Sequence, residues 1–160
     1  MVDNNDQIID QYLLNRIIVS NLSYKQGSGF VYYLSKDLTN TYLSKFNLQN
    51  GNITESILDI SVPDKNTYLL QADFDSDNQN DFSITFNNAQ QVKTYLITQN
   101  GVLKSGFPVS FYSNSINVPS IADYDKNGTL DLVIGNENGY KVIAWNAAVI
   151  NVHFKINDPD

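Results

Sequence analysis

Seven aspartates fall into two short clusters whose spacing suits the capture of a hard cation. The first reads Asp73-x-Asp75-x-Asp77-x-x-x-Asp81 and the second Asp123-x-Asp125-x-Asn127-Gly128-x-x-Asp131, so both place oxygen-bearing side chains at positions 1, 3, 5 and 9. Carboxylates crowded this closely repel one another and hold protons more tightly, a cost that a bound divalent cation removes. Along a tight turn the odd-numbered side chains converge on one point, and position 7, Gln79 or Thr129, can add its backbone carbonyl. Hard oxygen donors with no His or Cys nearby select calcium over zinc or copper. A helix–loop–helix calcium site is excluded at its closing ligand, because position 12 is Ile84 or Ile134 instead of an acid. Asp- and Asn-rich stretches also form ordinary hydrated turns that cap their own backbone. That the spacing and the flanking residues recur together favours a site over a turn.

The recurrence has a period of about 50 residues, the scale of repeat architectures. Ala72-Asp73-Phe74-Asp75 returns as Ala122-Asp123-Tyr124-Asp125, and Asp81-Phe82-Ser83-Ile84 as Asp131-Leu132-Val133-Ile134. Short apolar segments precede each loop and β-branched or aromatic residues follow it, which predicts strand, acidic loop, strand, twice. A further strand, Tyr42-Leu43-Ser44-Lys45-Phe46-Asn47, aligns with Tyr95–Asn100 and then Lys141–Asn146 at successive offsets of 53 and 46. Asn50-Gly51, Asn100-Gly101 and Asn138-Gly139 mark hairpin connections, since such dipeptides tolerate positive φ. Three units result, about 8–60, 61–110 and 111–157, within one segment spanning 1–160. In the first unit, residues 6–17 read either as a strand or as a helix, because Ile8, Ile9, Tyr12, Leu13 and Ile17 also recur at near-helical spacing. Its counterpart to the acidic loops, Ser20–Gly29, has no carboxylate and is expected to bind no metal.

Composition points the same way. The 160 residues suffice for one domain, and 10 Tyr and 8 Phe among Ile, Val, Leu and Thr suit half-buried strands. The expected fold is all-β, about three four-stranded antiparallel units of the kind that form β-propeller blades. The net charge of −7 argues against nucleic acid and anionic membrane as partners, and removing the seven loop acids leaves the remainder formally neutral. Cysteine is absent, so disulfides and thiolate chemistry are excluded. No apolar run of 18 residues occurs, so membrane insertion is not expected, and the first residues lack the features of a secretion signal.

The stretch Gly101-Val102-Leu103-Lys104-Ser105-Gly106-Phe107-Pro108-Val109, then Pro119–Asp125, Asp131–Asn136 and Val142–Asn146, closely resembles the FG-GAP (VCBS-like) repeats of bacterial surface proteins and integrin α-subunit propellers. The resemblance covers about residues 66–147. It implies that each acidic loop joins two strands of a blade and holds Ca2+, through Asp73, Asp75, Asp77, Gln79 and Asp81 in one case and Asp123, Asp125, Asn127, Thr129 and Asp131 in the other. Asn78 stands where Gly128 supplies the sharp turn, and Asn is the next most tolerant of positive φ. The resemblance further implies an extracellular or cell-surface module for adhesion, with a protein or glycan ligand, and no enzyme. The alternative is a propeller domain of, or attached to, a polysaccharide-acting hydrolase or lyase. Against it stand a single His, His153, in an alternating strand-like run, and a single Arg, Arg16. Trp145 is a candidate sugar platform, although its equivalence with Phe46 favours blade core. Three blades are too few to close a ring, so the remaining blades of a longer chain, or a second copy, are expected partners.

Overall fold

A computed structural model describes residues 16–137, 139–144 and 149–152. Among these there is no helix; thirteen strands form three antiparallel sheets and no closed barrel. The first sheet contains β1 (Ile17–Ile18), β2 (Ser23–Tyr24), β3 (Phe30–Lys36), β4 (Thr41–Asn47) and β5 (Ile53–Leu58). The second runs β6 (Thr67–Ala72), β7 (Asp81–Asn88), β8 (Gln91–Thr98) and β9 (Val109–Tyr112) in sequence order. The third repeats this with β10 (Ser120–Ala122), β11 (Asp131–Asn136), β12 (Gly139–Ile143) and β13 (Val149–Val152). Of the segment read as either strand or helix, only Arg16 and Ile17 are described, and Ile17 opens β1. His153 and Trp145 lie outside the described residues.

In the first sheet β1 and β2 both pair with β3, through Ile17↔Lys36 and Ile18↔Ser35 and then Ser23↔Tyr32 and Tyr24↔Val31. They form one interrupted lane, which makes this sheet a four-lane meander like the other two. The interruption has a purpose in packing. Ser20 bridges Thr67 in parallel fashion, and the Asn21 amide group brackets Leu69, donating to its carbonyl at 2.9 Å and accepting from its N–H at 2.8 Å. The leading lanes of the first two sheets are thereby stitched side by side.

Period-2 alternation explains the layering. Leu69 and Leu70 are neighbours on β6 but face opposite ways, as do Leu96 and Ile97 on β8. Leu69 and Ile97 join Phe82, Ile84 and Phe86 against Tyr32, Leu34 and Leu43 of the first sheet. Leu70 and Leu96 join Phe74 and Val109 against Leu132, Ile134 and Ile143 of the third. The second sheet is thus covered on both faces, and β7 is buried from Asp81 to Phe86. Large side chains occupy one face of its centre, Phe82, Ile84 and Phe86, while Ser83 and Thr85 occupy the other and let the third sheet approach. Each fully buried Phe, Leu or Ile contributes about 1.5 to 3 kcal/mol.

One turn lacks the usual residues. Ala89 and Gln90 close the β7–β8 hairpin with φ of 50° and 69°, the left-handed pair that Asn-Gly normally supplies. At the outer seam beyond it, the buried Ser113 donates its N–H to the Gln90 carbonyl at 3.0 Å and accepts at its own carbonyl from Asn87. Its hydroxyl donates to Glu137 at 2.7 Å, and Glu137 also accepts from the Asn114 N–H at 3.0 Å. These contacts hold the Glu137 carboxyl down at about 2, the Asn114 N–H contributing most and the Ser113 hydroxyl next.

Candidate metal centres

The two acidic loops occupy equivalent places. Ala72↔Asp81 is the last pair of β6 with β7, and Ala122↔Asp131 is the last pair of β10 with β11. Each loop leaves its strand after the alanine and re-enters at the final aspartate, so that aspartate is buried with the strand: Asp81 is 2% and Asp131 1% exposed. The internal hydrogen bonds match in type. Asp73 accepts from the N–H groups of Asp77 at 3.0 Å and Asn78 at 2.9 Å; Asp123 accepts from those of Asn127 and Gly128, both at 3.0 Å. Asp81 accepts from the Phe74 N–H and Asp131 from the Tyr124 N–H, at 3.3 and 3.0 Å. Ser76 and Lys126 have φ of 61° and 59°, and Asn78 takes φ of 65° where Gly128 has 89°. Asn78 therefore adopts the left-handed turn that its sequence position demands.

In each loop three carboxylates converge, Asp73 with Asp75 and Asp81, and Asp123 with Asp125 and Asp131, offering oxygens all within 4.8 Å of one another. Calcium–oxygen distances of about 2.4 Å place opposite ligands about 4.8 Å apart, so either trio fits around one ion. The other sequence-predicted ligands are not drawn in to the same degree. Asp77 and Asn127 lie exposed, and their Oδ1 atoms accept from the N–H groups of Gln79 and Thr129, both at 2.8 Å. The Asn127 side-chain amide donates to Asp125 at 2.9 Å. Gln79 accepts from the Gln99 side chain at 2.8 Å.

The loops differ at their third and ninth residues. Asp131 Oδ1 is buried and has no hydrogen-bond partner, an arrangement that leaves a lone-pair acceptor desolvated without compensation. Burial pushes the Asp131 carboxyl up, and the Asp125 and Asp123 charges push it further. The equivalent atom, Asp81 Oδ1, accepts from the Lys104 ammonium at 3.2 Å, and Lys104 also pairs with Asp75 Oδ2. Burial raises the Asp81 carboxyl and the lysine opposes the rise, while the lysine bond draws Asp75 below the ordinary range. Burial disfavours the Lys104 charge, but its bonds to Asp75 and Asp81 outweigh that and raise its pKa. The second trio therefore fits a divalent cation with no rearrangement of a basic group, and the first already faces a cation of the chain itself.

Lys104 is the residue at these loops that sequence reasoning did not assign. It stands 23 positions beyond Asp81, in the β8–β9 connection, where nothing local marks it. Elsewhere, a groove of about 760 Å³ at the end of the first sheet is lined by Arg16, Lys36, Asp37, Asp64 and neighbours. Its charges are largely mutual: Arg16 pairs with Glu55 and Lys36 with Asp64. No family model, curated protein or solved structure matches this chain.

Proposed function

We propose that the chain is a calcium-stabilised segment of a β-propeller of the FG-GAP type, exposed outside the cell and presenting its loops to a protein or glycan partner. One observation carries this reading: Asp131, buried within a trio of carboxylates spaced for calcium, has an oxygen with no hydrogen-bond partner. The stacking of successive four-lane meanders, joined through the parallel Ser20–Thr67 bridge, supports radial packing of such units. Asp123, Asp125 and Asp131 would hold the ion, and Asn127 would turn its side-chain oxygen toward it. Calcium offsets two of the three crowded charges and ties the end of β10 to the start of β11, so binding stabilises the folded form by mass action. At extracellular calcium, such a loop fills even with a dissociation constant of roughly 10⁻⁴ to 10⁻³ M. Isothermal titration of the EDTA-stripped chain with calcium tests the reading. Saturable uptake that zinc does not reproduce is expected; a flat titration at millimolar calcium overturns it.

A further inference from the structure

We propose that Lys104 is the built-in cation of the first acidic loop, so that calcium enters only the Asp123–Asp131 loop and residue 104 decides whether the first loop accepts a metal. The inference rests on the calcium reading of the second loop, and its tests separate the two. The backbone turns and the converging carboxylates are shared, and the loops differ in what faces the third and ninth residues: Asp125 accepts from Asn127 where Asp75 accepts from Lys104. At Asp131 that oxygen has no partner; at Asp81 it accepts from Lys104. A calcium ion coordinated by both Asp75 and Asp81 would have to compete with the ammonium for the same two carboxylates. Metal and lysine are therefore alternatives, since like charges cannot share the position.

Lys104 is not a surface side chain that happens to swing inward. Its N–H donates to the Leu96 carbonyl at 2.8 Å, its carbonyl accepts from the Phe107 N–H at 3.2 Å, and the preceding Leu103 bridges Ile97. The Leu96 bond and the bridge it helps to form hold residue 104 beside β8, and its side chain is only 15% exposed. The ammonium takes Asp75 Oδ2 and Asp81 Oδ1 but leaves Asp75 Oδ1 buried without a partner. One ammonium thus engages two of the three carboxylates and leaves the loop's oxygens incompletely satisfied. At the repeat offsets of 46, 50 and 53 from position 104 the sequence has Ile150, Phe154 and Asn157, none of them charged.

Calcium stoichiometry by isothermal titration decides the matter, with far-UV circular dichroism to check each variant's fold. The native chain is expected to take up one ion, Asp131→Asn none, Lys104→Met two, and the Lys104→Met/Asp131→Asn pair one. Lys104→Arg, which keeps the cation, is expected to behave as the native chain. Uptake of two ions by the native chain, or of one by Asp131→Asn, overturns the inference without any substitution at residue 104. Unchanged stoichiometry in folded Lys104→Met also overturns it, with Lys104→Gln measured in its place if the methionine variant does not fold. If the native chain takes up no calcium but the double variant binds one ion, the reading of the second loop fails and the inference about Lys104 stands.

Discussion

Replacing Asp131 by Asn should have opposite consequences with and without calcium. Without metal, the Asp131 carboxylate is a buried charge with one oxygen satisfied by the Tyr124 N–H and the other unpartnered. Its pKa is raised in the fold, so at neutral pH its ionised form is disfavoured by folding and subtracts from stability. Asparagine keeps an oxygen for Tyr124 and places an amide N–H beside Asp123 and Asp125. The variant should therefore melt in EDTA at or above the native temperature. With about 2 mM calcium and a dissociation constant of roughly 10⁻⁴ to 10⁻³ M, mass action stabilises the native chain by about 0.7 to 1.8 kcal/mol. For a chain of this length that is a rise of about 1 to 7 °C. The variant, having lost the one ligand buried with the strand, should show no rise. Differential scanning calorimetry in EDTA and in calcium reads both signs. A native melt indifferent to calcium, or a variant that keeps the rise, refutes the reasoning; so does a variant clearly less stable in EDTA.

Two further substitutions probe the frame that holds the loops. Glu137 has its carboxyl held at about 2 against an ordinary 4.5, so its contribution is present above the unfolded value and is lost as pH falls through the folded one. Glu137→Gln should lower the urea midpoint at pH 7, and the gap from the native chain should close between about pH 4.5 and 2. In the β7–β8 turn, the double change Ala89→Asn/Gln90→Gly supplies residues suited to two positive φ angles. It should raise stability by about 1 kcal/mol in urea denaturation, because left-handed backbone costs an L-residue roughly that much.

The strands and the period were legible because local composition determines them. Alternating aromatic and β-branched runs marked β4, β8 and β12 as equivalent third strands, and Asp81 and Asp131 opened β7 and β11 at the expected offset. The acidic loops were legible down to their turns, including the positive φ of Asn78. What escaped the sequence depends on contacts between distant segments. Ala89-Gln90 forms a tight hairpin without turn residues, because pairing of the flanking β7 and β8 over eight residue pairs imposes it. The break between β1 and β2 reflects Asn21 bracketing Leu69 of the next sheet, 48 residues away. Lys104 reaches Asp75 and Asp81 only because the β8–β9 connection returns along β8. Asp77, spaced as a ligand, instead lies exposed and accepts from the Gln79 N–H.

Under the proposed assignment of lysine to one loop and calcium to the other, the same loop backbone gives parts of the chain different dependence on their surroundings. Both loops fold their first and last aspartates inward through hydrogen bonds to loop N–H groups, so each creates a negative focus whether or not anything fills it. In the second sheet that focus is neutralised by a side chain from the same sheet, and the sheet is packed on both faces. In the third sheet no basic side chain among the described residues pairs with the trio, so under the proposed reading its charge is offset by an ion from solution; β10 is short, with residues exposed or half-buried. Loss of calcium should therefore loosen the third sheet and leave the second intact, since opening is governed by local packing and charge. Hydrogen exchange read by mass spectrometry should show amide protection over 120–136 rising with calcium, while 67–98 stays unchanged. If protection rose equally in both segments, the two loops would be responding to the same ion chemistry, and the division of labour between Lys104 and Asp131 would be wrong.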